Sequence, residues 1–212
     1  MPMNELQSRR LEEGREYRSL TMTVRAADNN EAMIVEGYAT TFNQPYELYR
    51  YGGFIMQEQV DPRAFDDCDM ADVIFQYDHQ GRVFARTRNN TLSLRTDAHG
   101  LYITADLSGT EEGRKLYEDI KGGYIDRMSF GFVVAEDSRT YITNNETGEE
   151  TCLRTILKIS KLYDVSAVSI PANDMTAISA RRLVDGAIGG RAEERRRVER
   201  KKLNLKLILE GI

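Results

Sequence analysis

The sequence predicts a mainly β fold with flanking helices: a compact β-barrel that carries a charged helical tail at its C-terminal end. Three observations lead there. Short runs rich in Val, Ile, Thr, Phe and Tyr recur along the chain, separated by turn residues, which is how half-buried strands read. Only two stretches ahead of the tail read as helix. The balance of charge changes sign at Gly189-Gly190. Closure into a barrel is expected because many short strands otherwise leave edges exposed.

The elements follow in order. Residues 1–18 form a polar N-terminal arm without the apolar stretch of a secretory signal. Residues 19–25 alternate as a strand, and 32–40 form an apolar one interrupted by Gly37. A strand over 73–77 comes next. Strands over 91–97 and 101–107 join as a hairpin through the turn Asp97-Ala98-His99-Gly100. Ser108-Gly109-Thr110-Glu111 reads as a capping box, and the helix it opens places Leu116 and Ile120 on one face before Gly122-Gly123 stops it. Strands over 128–135, 153–159 and 162–170 complete the set, with the loop 144–148 between antiparallel partners. A second helix starts near Asn173 or Asp174, after Pro171, and runs to about Asp185.

Residues 19–187 are therefore read as the barrel domain and 188–212 as the tail. The tail holds eight basic and four acidic residues, a net +4, which leaves −9 on the rest of a chain whose total is −5. It ends in a small apolar patch of Leu203, Leu205, Leu207, Ile208 and Leu209. Two readings stand: a solvated helix, or a docking and processing segment that meets an assembly partner.

Composition narrows the function. With 41% hydrophobic residues in 212, the chain can build a core. Its acidic balance argues against nucleic acid as the main ligand, since duplex binding rests on Lys and Arg. No apolar run approaches the roughly 20 residues of a spanning helix, so no membrane is expected and the chain reads as soluble and intracellular. Cys68 and Cys152 cannot make a disulfide framework. His79 and His99 are the only histidines, which excludes a His-rich metal site. Glycine-rich phosphate cradles are absent. Neither a metal nor another cofactor is expected.

Three residues invite chemistry. In a strand over 128–135, Met128, Phe130, Phe132 and Val134 share one face while Ser129 and Gly131 share the other. Gly131 leaves room beside the Ser129 hydroxyl for a substrate backbone; the competing reading is a serine on a solvated sheet face. His79 closes the strand that begins at Val73, before a loop Gln80-Gly81-Arg82. Imidazole is the usual activator of a serine hydroxyl, and the competing reading is a strand-end histidine bonded to a carbonyl. Asp164 sits in an apolar strand, where an acid is costly to bury unless a donor such as an imidazole N–H receives it. It also reads as an outward-facing acid. His99 belongs to its turn. Cys68, flanked by Asp66, Asp67 and Asp69, is a poor candidate thiolate.

Six segments, in order, resemble the prohead maturation proteases of tailed bacteriophages and prophages, serine peptidases related in fold to herpesvirus assemblin. They are Val35-Glu36-Gly37-Tyr38-Ala39-Thr40, Glu58-Gln59-Val60-Asp61-Pro62-Arg63-Ala64-Phe65, Tyr77-Asp78-His79, Asp97-Ala98-His99-Gly100-Leu101, Met128-Ser129-Phe130-Gly131-Phe132, and the stretch from Asp164 to Ala172. The resemblance implies Ser129 as nucleophile and His79 as general base. The third position, usually Glu in the family, is Asp164 here; the herpesvirus relatives use a second His, for which His99 is the candidate. It implies a serine endopeptidase that cuts scaffolding protein and major capsid protein extensions, and itself, inside the immature procapsid in the host cytoplasm. The portal and self-association are further partners it leaves open. Backbone near Gly131, Arg82 and Arg86 are candidates to hold the oxyanion. The rival readings are a catalytically inactive internal scaffold or capsid-binding module, and a Cys-dependent hydrolase.

Overall fold

The computed structural model describes residues 14–20, 25–26, 32–169 and 200. The second helix, the Gly189-Gly190 hinge and the charged tail expected from the sequence lie outside the described residues. Within them the fold is mainly β, with one α-helix.

In chain order the strands are β1 (Glu16–Leu20), β2 (Arg25–Ala26), β3 (Ile34–Thr41), β4 (Tyr46–Tyr51), β5 (Phe54–Val60), β6 (Ile74–Tyr77), β7 (Gln80–Arg86), β8 (Leu92–Thr96) and β9 (Gly100–Asp106). The helix α1 (Glu111–Lys121) and the long strands β10 (Arg127–Thr143) and β11 (Glu150–Val168) follow. A seven-stranded sheet runs β1-β10-β11-β5-β4, with β6 added beside β11 and β7 beside β6. A four-stranded antiparallel sheet runs β2-β3-β9-β8. The chain passes from the smaller sheet to the larger at Phe42, which bridges Val60.

The expected closed barrel is not formed by the pairings among the described residues. Side chains join the two sheets instead. Val35, Leu101, Ile103 and Ala105 of one, and Met128, Phe130, Phe132, Ile156, Leu162 and Val165 of the other, are buried in one hydrophobic cluster. The rings of Phe130 and Phe132 stack with centroids 4.5 Å apart. α1 adds Leu116, Tyr117 and Ile120, which recur at the spacing of one helix face.

The turn between β8 and β9 is the expected one: Asp97 accepts from the backbone N–H of His99 and Gly100, at 2.8 and 3.1 Å. The helix start differs by two residues. Asp106 accepts from the N–H of Ser108, so the chain is still turning there. Thr110 is the extended cap, and its hydroxyl accepts from Gly113 N–H at 3.0 Å. β4, β5 and β7 were not expected as strands, because polar and aromatic residues interrupt their alternation. The runs 153–159 and 162–170 are one strand, since the ladder to β10 continues through Lys161 and Leu162. β1 starts at Glu16, so the boundary drawn after residue 18 falls inside an element.

Candidate active site

β10 and β11 pair so that Ser129 faces Ser166 and Gly131 faces Asp164. Directly opposed residues of an antiparallel pair put their side chains on the same face. Serine and aspartate thus stand on neighbouring strands of one surface. β6 runs parallel on the far side of β11, with Ile74 beside Asp164 and Tyr77 beside Ala167. The tight turn after β6 therefore arrives level with the same surface.

That turn carries the histidine. Tyr77 pairs with Gln80 across Asp78 and His79, both at positive φ (48° and 57°). Positive φ at both central residues is the two-residue hairpin geometry that normally draws Asn-Gly. Here Asp78 and His79 hold it, at the steric cost that a side chain meets there. Asp78 is tied down: its N–H donates to Ala167 O (3.0 Å), and its carboxylate accepts from the N–H (3.0 Å) and hydroxyl (2.9 Å) of Ser169. The sequence reading of His79 as the last residue of a strand is corrected. It belongs to a hairpin turn, and the turn folds its ring back over the sheet.

The ring joins the two strands. His79 Nδ1 bonds Asp164 Oδ1, and His79 Nε2 lies 2.5 Å from Ser129 Oγ. Ser166 Oγ donates to Asp164 Oδ1 at 3.0 Å. Ser129, Asp164 and His79 are 0%, 2% and 5% exposed. The structure brings together all three residues singled out in the sequence. Their order is that of a hydroxyl nucleophile, an imidazole base and an orienting carboxylate.

β1 borders this surface as the strand beside β10, with Tyr17 opposite Gly131 on the same face. The Tyr17 ring meets the His79 ring edge-on at 4.6 Å. Ser129 Oγ donates to the backbone oxygen of Arg18 at 2.7 Å. A hydroxyl has one proton. When it goes to Arg18, His79 can meet Ser129 only as a donor. The space beside Gly131 is therefore occupied: a Cβ there would fall 2.5 Å from Asp164 Oδ2 and 2.7 Å from the Tyr17 ring.

On the opposite face of the sheet, where Arg18 stands across from Phe130, lies a buried charge cluster that the sequence reading did not single out. Arg18 donates to both oxygens of Glu58, at 2.6 and 3.0 Å. Tyr46 O–H (2.6 Å) and Arg154 (2.8 Å) also donate to Glu58. Arg154 further meets Glu16 (2.8 Å) and Asp137 (2.6 Å). Arg18 and Glu58 are 1% and 0% exposed. Burial opposes the Arg18 charge, but Glu58 and Glu16 outweigh it and hold the guanidinium pKa above its usual value. Burial likewise opposes the Glu16 carboxylate, and Arg18 and Arg154 hold its pKa below the ordinary value. The signal was faint: acids and arginines in alternating segments, whose meeting depends on strand register.

The other candidates lie elsewhere. His99 packs edge-on against Tyr38. Arg82 is paired with Glu112 and Arg86 with Asp72. Burial, with the Asp69 charge behind it, pushes the Cys68 thiol up to about 11, which keeps it protonated at neutral pH. Among the described residues no three His, Cys, Asp or Glu side chains gather as a metal site, and no helix is long and apolar enough to cross a membrane.

Residues 20–186 match the profile of the caudovirus prohead serine protease family, a stretch that includes Ser129, His79 and Asp164. The prohead protease of Enterobacteria phage HK97 is 35% identical over 95 residues, covering 44% of this chain and 39% of that protein. The chain thus matches about two fifths of that relative's length. The bacteriophage T4 capsid assembly protease, gp21, superposes on 72% of this chain and 98% of its own, with 12% identity and a TM-score of 0.39.

Proposed function

The chain belongs to the caudovirus prohead serine protease family, and from that premise we propose that it is a serine endopeptidase of capsid maturation, with Ser129, His79 and Asp164 as its catalytic residues. The observation that carries this reading is the unbroken hydrogen-bonded line from Asp164 through His79 to Ser129. His79 takes the Ser129 proton as Oγ attacks the substrate carbonyl. Asp164 holds Nδ1–H, so that Nε2 is the basic nitrogen, and stabilises the imidazolium that forms. His79 then returns the proton to the leaving amine. The acyl-enzyme is hydrolysed by water, which His79 activates in the same way. The buried site keeps bulk water from competing for these hydrogen bonds.

The substrates on this reading are the major capsid protein, scaffolding protein and the chain itself, cut inside the immature procapsid. The portal and a second copy of the chain are additional partners. The likeness to herpesvirus assemblin belongs to the same reading. So does a division into arm, protease domain and a basic tail that docks on an acidic surface.

Co-expression with the cognate capsid protein tests it. Ser129→Ala and His79→Ala should each abolish processing, a loss of ~10³-fold or more, as removal of a triad member does elsewhere. Intact mass should show truncation of the native chain and none of Ser129→Ala. Unchanged processing by Ser129→Ala would overturn the assignment in favour of a non-enzymatic scaffold module.

A further inference from the structure

Asp164 and Ser166 are two residues apart on β11. Side chains alternate between the faces of a strand, so both stand on the face of Ser129. One rung of the sheet crosses three strands there: Ser129 on β10, Ser166 on β11 and Gln76 on β6. Gln76 spends an amide proton on the Gly81 carbonyl of β7, at 3.3 Å. The one proton of the Ser166 hydroxyl goes to Asp164 Oδ1, the oxygen that also meets His79 Nδ1. We infer that Ser166 is a positioning residue of the triad: its hydroxyl selects and holds the Asp164 oxygen that orients the imidazole. This inference rests on the protease reading above and deepens it by one residue, which acts through Asp164.

The need for such a group follows from the chemistry of a carboxylate. The torsion about the Asp Cβ–Cγ bond is soft and nearly two-fold, so one bond to an imidazole leaves the two oxygens interchangeable. The site removes that freedom from both ends. Oδ2 is turned to Gly131, where an added Cβ would fall 2.5 Å from it. Oδ1 lies between the ring and the Ser166 hydroxyl.

Charge adds a second reason. Burial disfavours a charged carboxylate, and a hydrogen bond to the charged form favours it. Asp164 is 2% exposed and Ser166 0%, so bulk water has no access to take the place of the hydroxyl. A small displacement of the acid is passed to the ring, and from the ring to Ser129, because the three groups form one hydrogen-bonded line.

The test uses the full chain, native and as Ser166→Ala and Ser166→Cys. Ala removes the hydroxyl; Cys keeps a side chain of similar shape with only a weak S–H donor. A small fluorophosphonate reports the nucleophile: Ser129 Oγ bonds to phosphorus, fluoride leaves and His79 takes the hydroxyl proton. Labelling is followed by intact mass. Both variants should label roughly tenfold or more slowly than the native chain, since a hydrogen bond to a charged group is lost. The second readout is the ring itself. The chain has two histidines, so nitrogen-15 histidine labelling gives two imidazoles, and His99, packed against Tyr38, serves as the reference. In both variants the His79 Nδ1 proton should move upfield, toward its position in an unconstrained imidazole, while the His99 signals stay. A role in packing alone would leave Ser166→Cys with the native rate and the native Nδ1 resonance, and either result would overturn the inference. Cys fills the space, so the test stands even where Ser166→Ala fails to fold. Equal labelling of the native chain and both variants leaves the protease reading intact and removes only the role of Ser166. If the reagent labels Ser129 in no chain, the protease reading fails and this inference with it.

Discussion

Asp164 and Gly131 set the reach of the active-site side chains. Asp is shorter than Glu by one methylene, yet its Oδ1 meets His79 directly, because the hairpin turn brings the ring to it. On the proposed mechanism, Asp164→Asn keeps an acceptor for Nδ1–H but removes the charge that steadies the imidazolium. The expected loss is on the order of 10⁴ in kcat, with the fold retained by circular dichroism. Gly131 acts through space. Its missing Cβ leaves room for Asp164 Oδ2 and the Tyr17 ring. Gly131→Ala should cost about 1–3 kcal/mol by overpacking and displace Asp164 from His79. A thermal melt and a labelling rate measured together will show both, and a variant with native values in each contradicts this account.

The decisive element is the β6–β7 turn. Pattern reading assigns its sequence to a strand end and a loop, because Asp-His is not the pair that marks a two-residue hairpin. Tertiary context holds it there: Asp78 is fastened to Ala167 and Ser169 at the end of β11. Asp78 is a positioning residue on this account, since it touches the turn and not the reacting atoms. Asp78→Ala should lower kcat by roughly tenfold or more, as loosened positioning does, while KM for a peptide substrate stays near native. Asp78→Asn keeps an acceptor for Ser169 and should recover most of the rate. Equal defects in the two variants would mean that the Ser169 hydrogen bonds are not what matters. The same limit applies to β4, β5 and β7, whose alternation is broken by polar residues. Their strand character comes from the neighbours they pair with.

At the scale of the molecule, two sheets meet through one core, and one buried charge cluster ties β1 to β5, β10 and β11. Its pH dependence has a definite sign. Arg18 and Arg154 hold the Glu16 pKa below its ordinary 4.5. A carboxylate lowered on folding contributes stability that is complete above its unfolded pKa and is lost as pH falls through the folded value. Acid should therefore release β1 from pH 4.5 downward. Hydrogen exchange, corrected for intrinsic rates, should show β1 amides losing protection over that window ahead of those of α1. Protection in β1 that persists together with α1 to pH 3 would exclude Glu16 as its anchor.

The sequence by itself determined the mainly β character, the β8–β9 turn, and the helix and its buried face, and it singled out Ser129, His79 and Asp164, which the structure brings together. These depend on local patterns: apolar alternation, turn and breaker residues, and segments in family order. Only the tertiary structure decided what those residues touch. Two sheets in place of a closed barrel, β1 across Ser129, Asp164 and Tyr17 in the space beside Gly131, and Arg18 inside the Glu58 cluster all depend on register between strands distant in the chain. Residues 18 and 58 carry no mark of each other in the sequence. Their meeting is set when side chains and backbone ladders settle every strand at once.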